Sequence, residues 1–276
     1  MAENYTHPAS QLLTLGETPI HASRNYLKIG FTREHIPDLI RLVEDEELRN
    51  LPWDEKGNVP PQVYAQVHAW RVLAQLGAAE AIPSFIALLH YIDEDNDDYI
   101  GEEIPIMLGK LGMSAIDPCR EYLANPSHGT FSRVAAGYAL SEVGKQHPET
   151  RDACVQALIS TLEGYQNDDE TVNAFSLSYL AELKAVEAAP LAEEIFKAGR
   201  AELEVAGDYE DYQIHVGLLK KRLTPSKFRS ITDLKFSQIV AAVSTEKKRV
   251  RETEKKEKNK RKEEKKARKR HKKRGA

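Results

Sequence analysis

Apolar residues recur along this chain at spacings of three and four, the signature of helices that bury one face. Four of these stretches end alike: Leu73, Leu76 and Gly77; Leu108, Leu111 and Gly112; Leu140, Val143 and Gly144; Leu180, Leu183 and Lys184. Their first leucines lie 35, 32 and 40 residues apart. Six residues beyond three of the endings stands a proline, Pro83, Pro118 or Pro190, followed by a second apolar helical stretch. Ile36-Pro37-Asp38-Leu39-Ile40, after Gly30, is an earlier copy of that stretch. Glycine after the last leucine supplies a C-cap in the left-handed region. Proline in the next first turn occupies a position whose N–H has no helical partner. The predicted unit is therefore helix, tight turn, helix, and one such hairpin cannot bury its apolar face without stacked neighbours.

Helices are predicted over 8–15, 23–29, 35–48, 62–76, 80–91, 102–111, 114–124, 130–143, 149–164, 169–183, 187–203 and 208–222. No stretch alternates with period two, so no strand is predicted. Pro105 requires its helix to start near Glu102 or to kink there. A last amphipathic stretch, Ile231 to Val243, is expected to cap the open end.

The run Leu73 to Leu89, with Ala81-Ile82-Pro83 after the glycine, resembles HEAT repeats of the short phycobilisome-lyase type, and the resemblance covers residues 25–200. It departs from the pattern at Pro148, which follows its glycine after four residues, and at Lys184, which replaces glycine. It implies an all-α, right-handed α-solenoid of about five hairpins used for protein contacts. The expected layout is an N-terminal cap over 1–24, repeats over 25–205, capping helices over 206–245 and a basic tail over 246–276, the tail being no part of what the resemblance implies. Deoxyhypusine hydroxylase resembles this fold and carries iron on His-Glu dipeptides, but none of the nine histidines here precedes a glutamate. Phycobilin lyases, which hold a bilin in such repeats, leave a lyase-like enzyme or chaperone as the alternative function.

Charge divides the chain sharply. Residues 246–276 hold 18 Lys/Arg and 6 Asp/Glu, net +12, whereas residues 1–245 hold 21 and 37, net −16. The tail has no apolar stripe to order it and is predicted disordered. Its most basic part carries Lys265, Lys266, Arg268, Lys269, Arg270, Lys272, Lys273 and Arg274 with no acid between them. Such a segment attracts polyanions by counterion release, which makes RNA or ribosomal surface the first expected partner. A nuclear-localisation or anionic-membrane patch, or docking on the acidic body, are the other readings. Aromatic residues for base stacking are absent from it, so sequence-specific readout is not expected.

Candidate chemistry is sparse. Asp93 to Asp98 fails the calcium-loop template, since its sixth residue is Asp98 and its twelfth Ile104. Glu102 and Glu103 point about 100° apart on a helix, and helix capping explains them better than a shared catalytic atom. The histidines and the two cysteines, Cys119 and Cys154, lack zinc-ligand spacing, and both cysteines are expected as buried thiols. Neither a metal, a cofactor nor a catalytic residue is predicted. No segment approaches the roughly 18 apolar residues of a membrane span, and the N-terminus lacks the regions of a secretory signal, so a cytoplasmic protein is expected.

In solenoids of this kind the second helix of each pair lines the concave wall. The same-face positions are Tyr64, His68, Arg71 and Gln75, then Tyr99, Glu102, Ile106 and Lys110, then Phe131, Tyr138 and Glu142. Aromatic residues beside charges suit a protein client. The candidate contacts are Tyr64, His68, Arg71, Tyr99, Glu102, Arg133 and Tyr138, with inter-repeat core as the competing role for Tyr64, Tyr99 and Phe131. Trp53, in a Pro/Gly-rich insertion, either staples that loop to the body or anchors a partner. A non-enzymatic scaffold is the expected function.

Overall fold

Helix-forming stretches that each bury one stripe come together here as paired helices, and all regular structure among the described residues is helical. The structure is a computed structural model and describes residues 5–52 and 59–225. Trp53, the stretch Ile231 to Val243 and the basic tail with its eight candidate residues lie outside them.

The α-helices are α1 (Ala9–Leu12), α2 (Ile36–Val43), α3 (Glu46–Arg49), α4 (Ala65–Gln75), α5 (Ile82–Leu88), α6 (Tyr91–Glu94) and α7 (Asp98–Leu111). They continue with α8 (Ile116–Ala124), α9 (Thr130–Gln146), α10 (Arg151–Leu162), α11 (Glu170–Glu182), α12 (Ala189–Lys197), α13 (Leu203–Ala206) and α14 (Tyr209–Val216). Short 3-10 turns, Arg33–His35, Ala79–Ala81, Gly112–Ala115, Pro148–Thr150 and Val186–Ala188, lead into α2, α5, α8, α10 and α12. Proline occupies the first turn of α2, α5 and α12, as its fixed φ and missing N–H predict. Helices α4, α7, α9 and α11 pack against one another in chain order, and α5, α8 and α10 pack in a second row beside them.

The second-row partners have one buried stripe, but α4 and α11 are buried on nearly every side, because they touch helices before, after and across from them. Small residues set how closely they approach. A Cβ on Gly109 of α7 would lie 2.6 Å from Glu142 Cβ on α9, and one on Gly144 of α9 would lie 2.8 Å from a Leu183 methyl. Gly144 is consequently inside α9 rather than capping it, and the helix runs on to Gln146. Gly77 and Gly112 do adopt the positive φ that a chain reversal needs. At the fourth ending Lys184 takes that conformation (φ +56°) without being glycine.

Helices α7, α11 and α14 begin on aspartates. Asp97 accepts from the Ile100 amide at 3.0 Å, Asp169 from Thr171 at 2.8 Å and Asp208 from Asp211 at 3.2 Å. For α9 the cap is borrowed from the preceding hairpin, where Asp93 accepts from the Phe131 and Ser132 amides. The acidic run thus caps two helices. Helix α7 starts at Asp98 and passes through Pro105 without stopping, contrary to the expected boundary near Glu102. The carbonyl that Pro105 leaves without an N–H belongs to Gly101, which adds no side-chain crowding of its own there.

Arginines staple successive hairpins at equivalent places. Arg33 reaches the Leu76 carbonyl and Glu80, and Arg151 the Leu183 carbonyl and Glu187, at distances of 2.7–3.2 Å. Several expected helices are shorter than their patterns suggest: 8–15 yields only Ala9–Leu12, 35–48 breaks into α2 and α3, and 187–203 yields Ala189–Lys197. Only the 3-10 turn Tyr26–Ile29 forms within 23–29, and the last described helix stops at Val216, where Gly217 has φ +89°. Cys119 and Cys154 are free and fully buried, and burial raises both thiols.

Two substitutions test this packing. Gly109→Ala should lower stability by about 2 kcal/mol through forced separation of α7 and α9, read as a fall in the denaturation midpoint. Lys184→Gly should raise stability by about 0.5–1 kcal/mol by removing a left-handed non-glycine residue, and an unchanged or lower midpoint would contradict that account.

Candidate functional site

Between α1 and the 3-10 turn at Tyr26, residues Leu13 to Asn25 form no helix and cross the faces of α4 and α7. The crossing is made through the main chain of that segment. His68 Nε2 donates to the Gly16 carbonyl at 2.9 Å, Tyr99 Oη to the Thr18 carbonyl at 2.8 Å, and Arg71 Nη2 to the Pro19 carbonyl at 2.9 Å. The His21 amide donates to Glu103 Oε1 at 2.8 Å. Gln75 donates to the Arg24 carbonyl at 2.6 Å and accepts from the Tyr26 amide at 2.9 Å. Six backbone groups are thus held by five side chains, three from α4 and two from α7. One side chain of the segment joins them, as Thr18 Oγ1 accepts from Arg71 Nη1 at 2.8 Å.

At the centre stands an ion pair. Glu103 is 0% exposed and Arg71 4%. The Arg71 guanidinium meets the carboxylate with two nitrogens: Nε lies 2.8 Å from Oε2 and Nη2 contacts Oε1. Trp70 Nε1 donates to Oε2 at 2.9 Å. Burial by itself would raise the Glu103 carboxyl, but the bonds from Arg71, Trp70 and the His21 amide hold it below the ordinary glutamate value. Burial would likewise lower Arg71, and Glu103 reverses that. At the edge, Glu102 lies 3.4 Å from His21 Nε2, and its carboxyl is raised chiefly by burial.

The residues expected to meet a client therefore divide. His68 and Arg71 are buried beneath the chain's own N-terminal segment, where Tyr99 and Glu102 also bond it. Tyr64 is half-buried and packs edge-on against Tyr99, with centroids 6.0 Å apart. Arg133 does not serve this face. It is buried, its two terminal nitrogens bond Asp168 at 2.7 Å, and Nε donates to the Leu123 carbonyl, so it joins the third hairpin to the fourth. Tyr138 lies further along on α9, stacked on Tyr179 with Lys145 above its ring. Burial, then Glu142 and Glu182, push its hydroxyl up. Lys145 Nζ bridges Glu142 at 2.5 Å and Glu182 at 2.9 Å.

Glu103 is the residue that helix-capping logic misplaced, because Asp97 already caps α7 and Glu103 sits well inside it. Its position three after Ile100, on the buried stripe, is the sequence signal for a carboxylate that needs a buried cation. Nothing comparable marks Gly16 or Thr18, which act through carbonyls. A cavity of about 320 Å³ opens beside the segment, bordered by His21, Arg24, Gln75, Ile106, Met107 and Lys110. Among the described residues no group of three or more His, Cys, Asp or Glu side chains could hold a metal ion. None of the described helices is long and apolar enough to cross a membrane. No family model, curated protein or solved structure matches the chain.

Removing one partner of the central pair leaves a buried charge uncompensated. Glu103→Ala should cost about 3–5 kcal/mol. Because the Glu103 carboxyl is held low in the folded protein, its stabilisation is complete above the ordinary glutamate pKa and is lost as pH falls through the folded value. Unfolding at a series of pH values should therefore show the variant's deficit shrinking in acid, and a constant deficit would contradict the assignment.

Proposed function

We propose that the chain is a non-enzymatic adaptor: a right-handed α-solenoid of about five HEAT-like hairpins whose second-helix face holds a protein segment, joined to a basic tail that contacts RNA, ribosomal surface or another polyanion. The observation that carries this reading is the manner in which α4 and α7 hold residues 16–26. A surface that binds a polypeptide mainly through carbonyls and amides places few demands on its side chains, which suits an adaptor. Sequential packing of α4, α7, α9 and α11 supports the solenoid, and the same face continues onto α9 and α11 through Tyr138, Glu142, Lys145 and Glu182. The chain's −16 body and +12 tail support two separate partners. Tethering two weak sites raises the effective concentration of the second without any new contact.

A second reading has one observation in its favour. The cavity beside His21 and Lys110 is roomy enough for a small ligand, as a phycobilin-lyase-like enzyme or chaperone would require. Visible absorbance in the purified protein would favour that reading over the adaptor.

The tail is tested in the full chain by replacing its eight Lys and Arg residues between Lys265 and Arg274 with serine. If all eight meet phosphates, single-stranded RNA affinity of the unmodified protein should fall about 10³-fold between about 50 and 200 mM salt. The serine variant should bind weakly with a shallow salt slope. Equal affinities for the two proteins, or binding indifferent to salt, would sink the polyanion role.

A further inference from the structure

Arginine meets carboxylate almost throughout the acidic body, and Arg24 departs from that pattern. Every other arginine among the described residues has a carboxylate oxygen at ion-pair distance from its guanidinium, whereas Arg24 has none there. It borders the cavity of about 320 Å³, with its guanidinium carbon 5.9 Å from the centroid of the Tyr26 ring. Its main chain is fixed at that edge. Gln75 donates to the Arg24 carbonyl at 2.6 Å and accepts from the Tyr26 amide at 2.9 Å. Lys110, in the last turn of α7, borders the same cavity, and among the described residues it too meets no carboxylate.

The other charges at the cavity already have partners. Glu103 borders it, but its two oxygens accept from Arg71, Trp70 and the His21 amide. Arg71 also donates to Thr18 and to the Pro19 carbonyl, so the buried pair presents no net charge to the cavity. The His21 ring faces Glu102, 3.4 Å from Nε2. Two cations therefore remain, beside a wall made by Ile106, Met107 and the Tyr26 ring. An apolar concavity with a few placed polar groups is what a small-molecule site requires. A cation in a half-enclosed space also attracts an anion more strongly than one in open water, because less solvent screens it. The paired N–H groups of a guanidinium match the two oxygens of a carboxylate, and an ammonium adds a point charge.

We propose that this cavity binds a small organic carboxylate, with the carboxylate at Arg24 and Lys110 and the apolar body of the ligand against Ile106, Met107 and the Tyr26 ring. The proposal rests on the small-ligand reading of the cavity and names the ligand's class. It is independent of whether the second-helix face takes a protein segment. Arg24 comes from the crossing segment and Lys110 from α7, so an occupant joins the two. Such a ligand binds the folded chain alone and stabilises it as its concentration rises. Inorganic phosphate shares the charge but has no apolar body, and an uncharged ligand of the same shape has the body without the charge. Each supplies half of what the cavity offers.

Titration of the full chain with benzoate, followed at the Ile106 and Met107 methyl resonances, tests it. Both methyls should shift saturably, with a Kd on the order of 1 mM. Benzamide and inorganic phosphate should each bind about tenfold more weakly than benzoate. Arg24→Gln and Lys110→Gln should each weaken benzoate about tenfold, with the thermal midpoint of the unliganded protein unchanged. Equal binding of benzamide and benzoate overturns the proposal while leaving a ligand cavity in place. Phosphate binding as tightly as benzoate overturns the role given to the apolar wall, and unchanged benzoate affinity in both variants overturns the role given to the two cations. Should no probe shift either methyl at up to about 50 mM, the proposal falls together with the small-ligand reading of the cavity.

Discussion

Burying a carboxylate among stacked helices is unfavourable by several kcal/mol unless a cation and hydrogen bonds meet it there. Glu103 satisfies that condition with the Arg71 guanidinium, the Trp70 indole and the His21 amide. The last of these comes from the N-terminal segment, so the charge pair and the segment depend on each other. Without the segment, Glu103 loses an amide donor and Arg71 loses Thr18 and the Pro19 carbonyl. Without the pair, the segment loses its central attachment and keeps His68, Tyr99, Gln75 and Glu102. The first two hairpins are thereby locked in one register through the N-terminal segment.

The later hairpins solve the same problem of approach by size and capping. Gly109 and Gly144 let α7, α9 and Leu183 come within side-chain contact, and Asp93 lends its carboxylate to the start of α9. Arg133 and Arg151 then tie each hairpin to the next through carbonyls and carboxylates. A chain assembled this way makes its contacts largely with neighbours in sequence, which is what a stacked repeat requires. The exception is the crossing segment, whose bonds to α4 and α7 span some 50 to 80 residues.

That exception explains which candidate residues were legible beforehand. Same-face spacing grouped Tyr64, His68, Arg71 and Gln75 with Tyr99 and Glu102, and these residues do gather at one place. Their exposure was not legible, because what covers them lies before the repeats and binds through its backbone. Arg133 was misassigned for a related reason. Its helix position permits either the shared face or the edge, and the Asp168 carboxylate on the following hairpin draws it to the edge. Glu103 was readable as a buried charge from its place three after Ile100, but its partner was not.

What the amino-acid order determined without tertiary help was local: apolar spacing of three and four, proline in first turns, and glycine where the chain reverses. These depend on backbone sterics and on one-sided burial, which act over a few residues, and they suffice for an all-helical chain of paired elements. The division into an acidic body and a basic tail is likewise a property of composition. Tertiary structure decided whether Gly144 caps or packs and whether Pro105 ends α7. It also decided whether His68 and Arg71 face a partner or the chain's own N-terminus. Each of those outcomes depends on an atom supplied from a distant part of the chain: a Leu183 methyl, the Gly16 carbonyl, the Glu103 carboxylate. Local pattern carries no record of which distant group arrives.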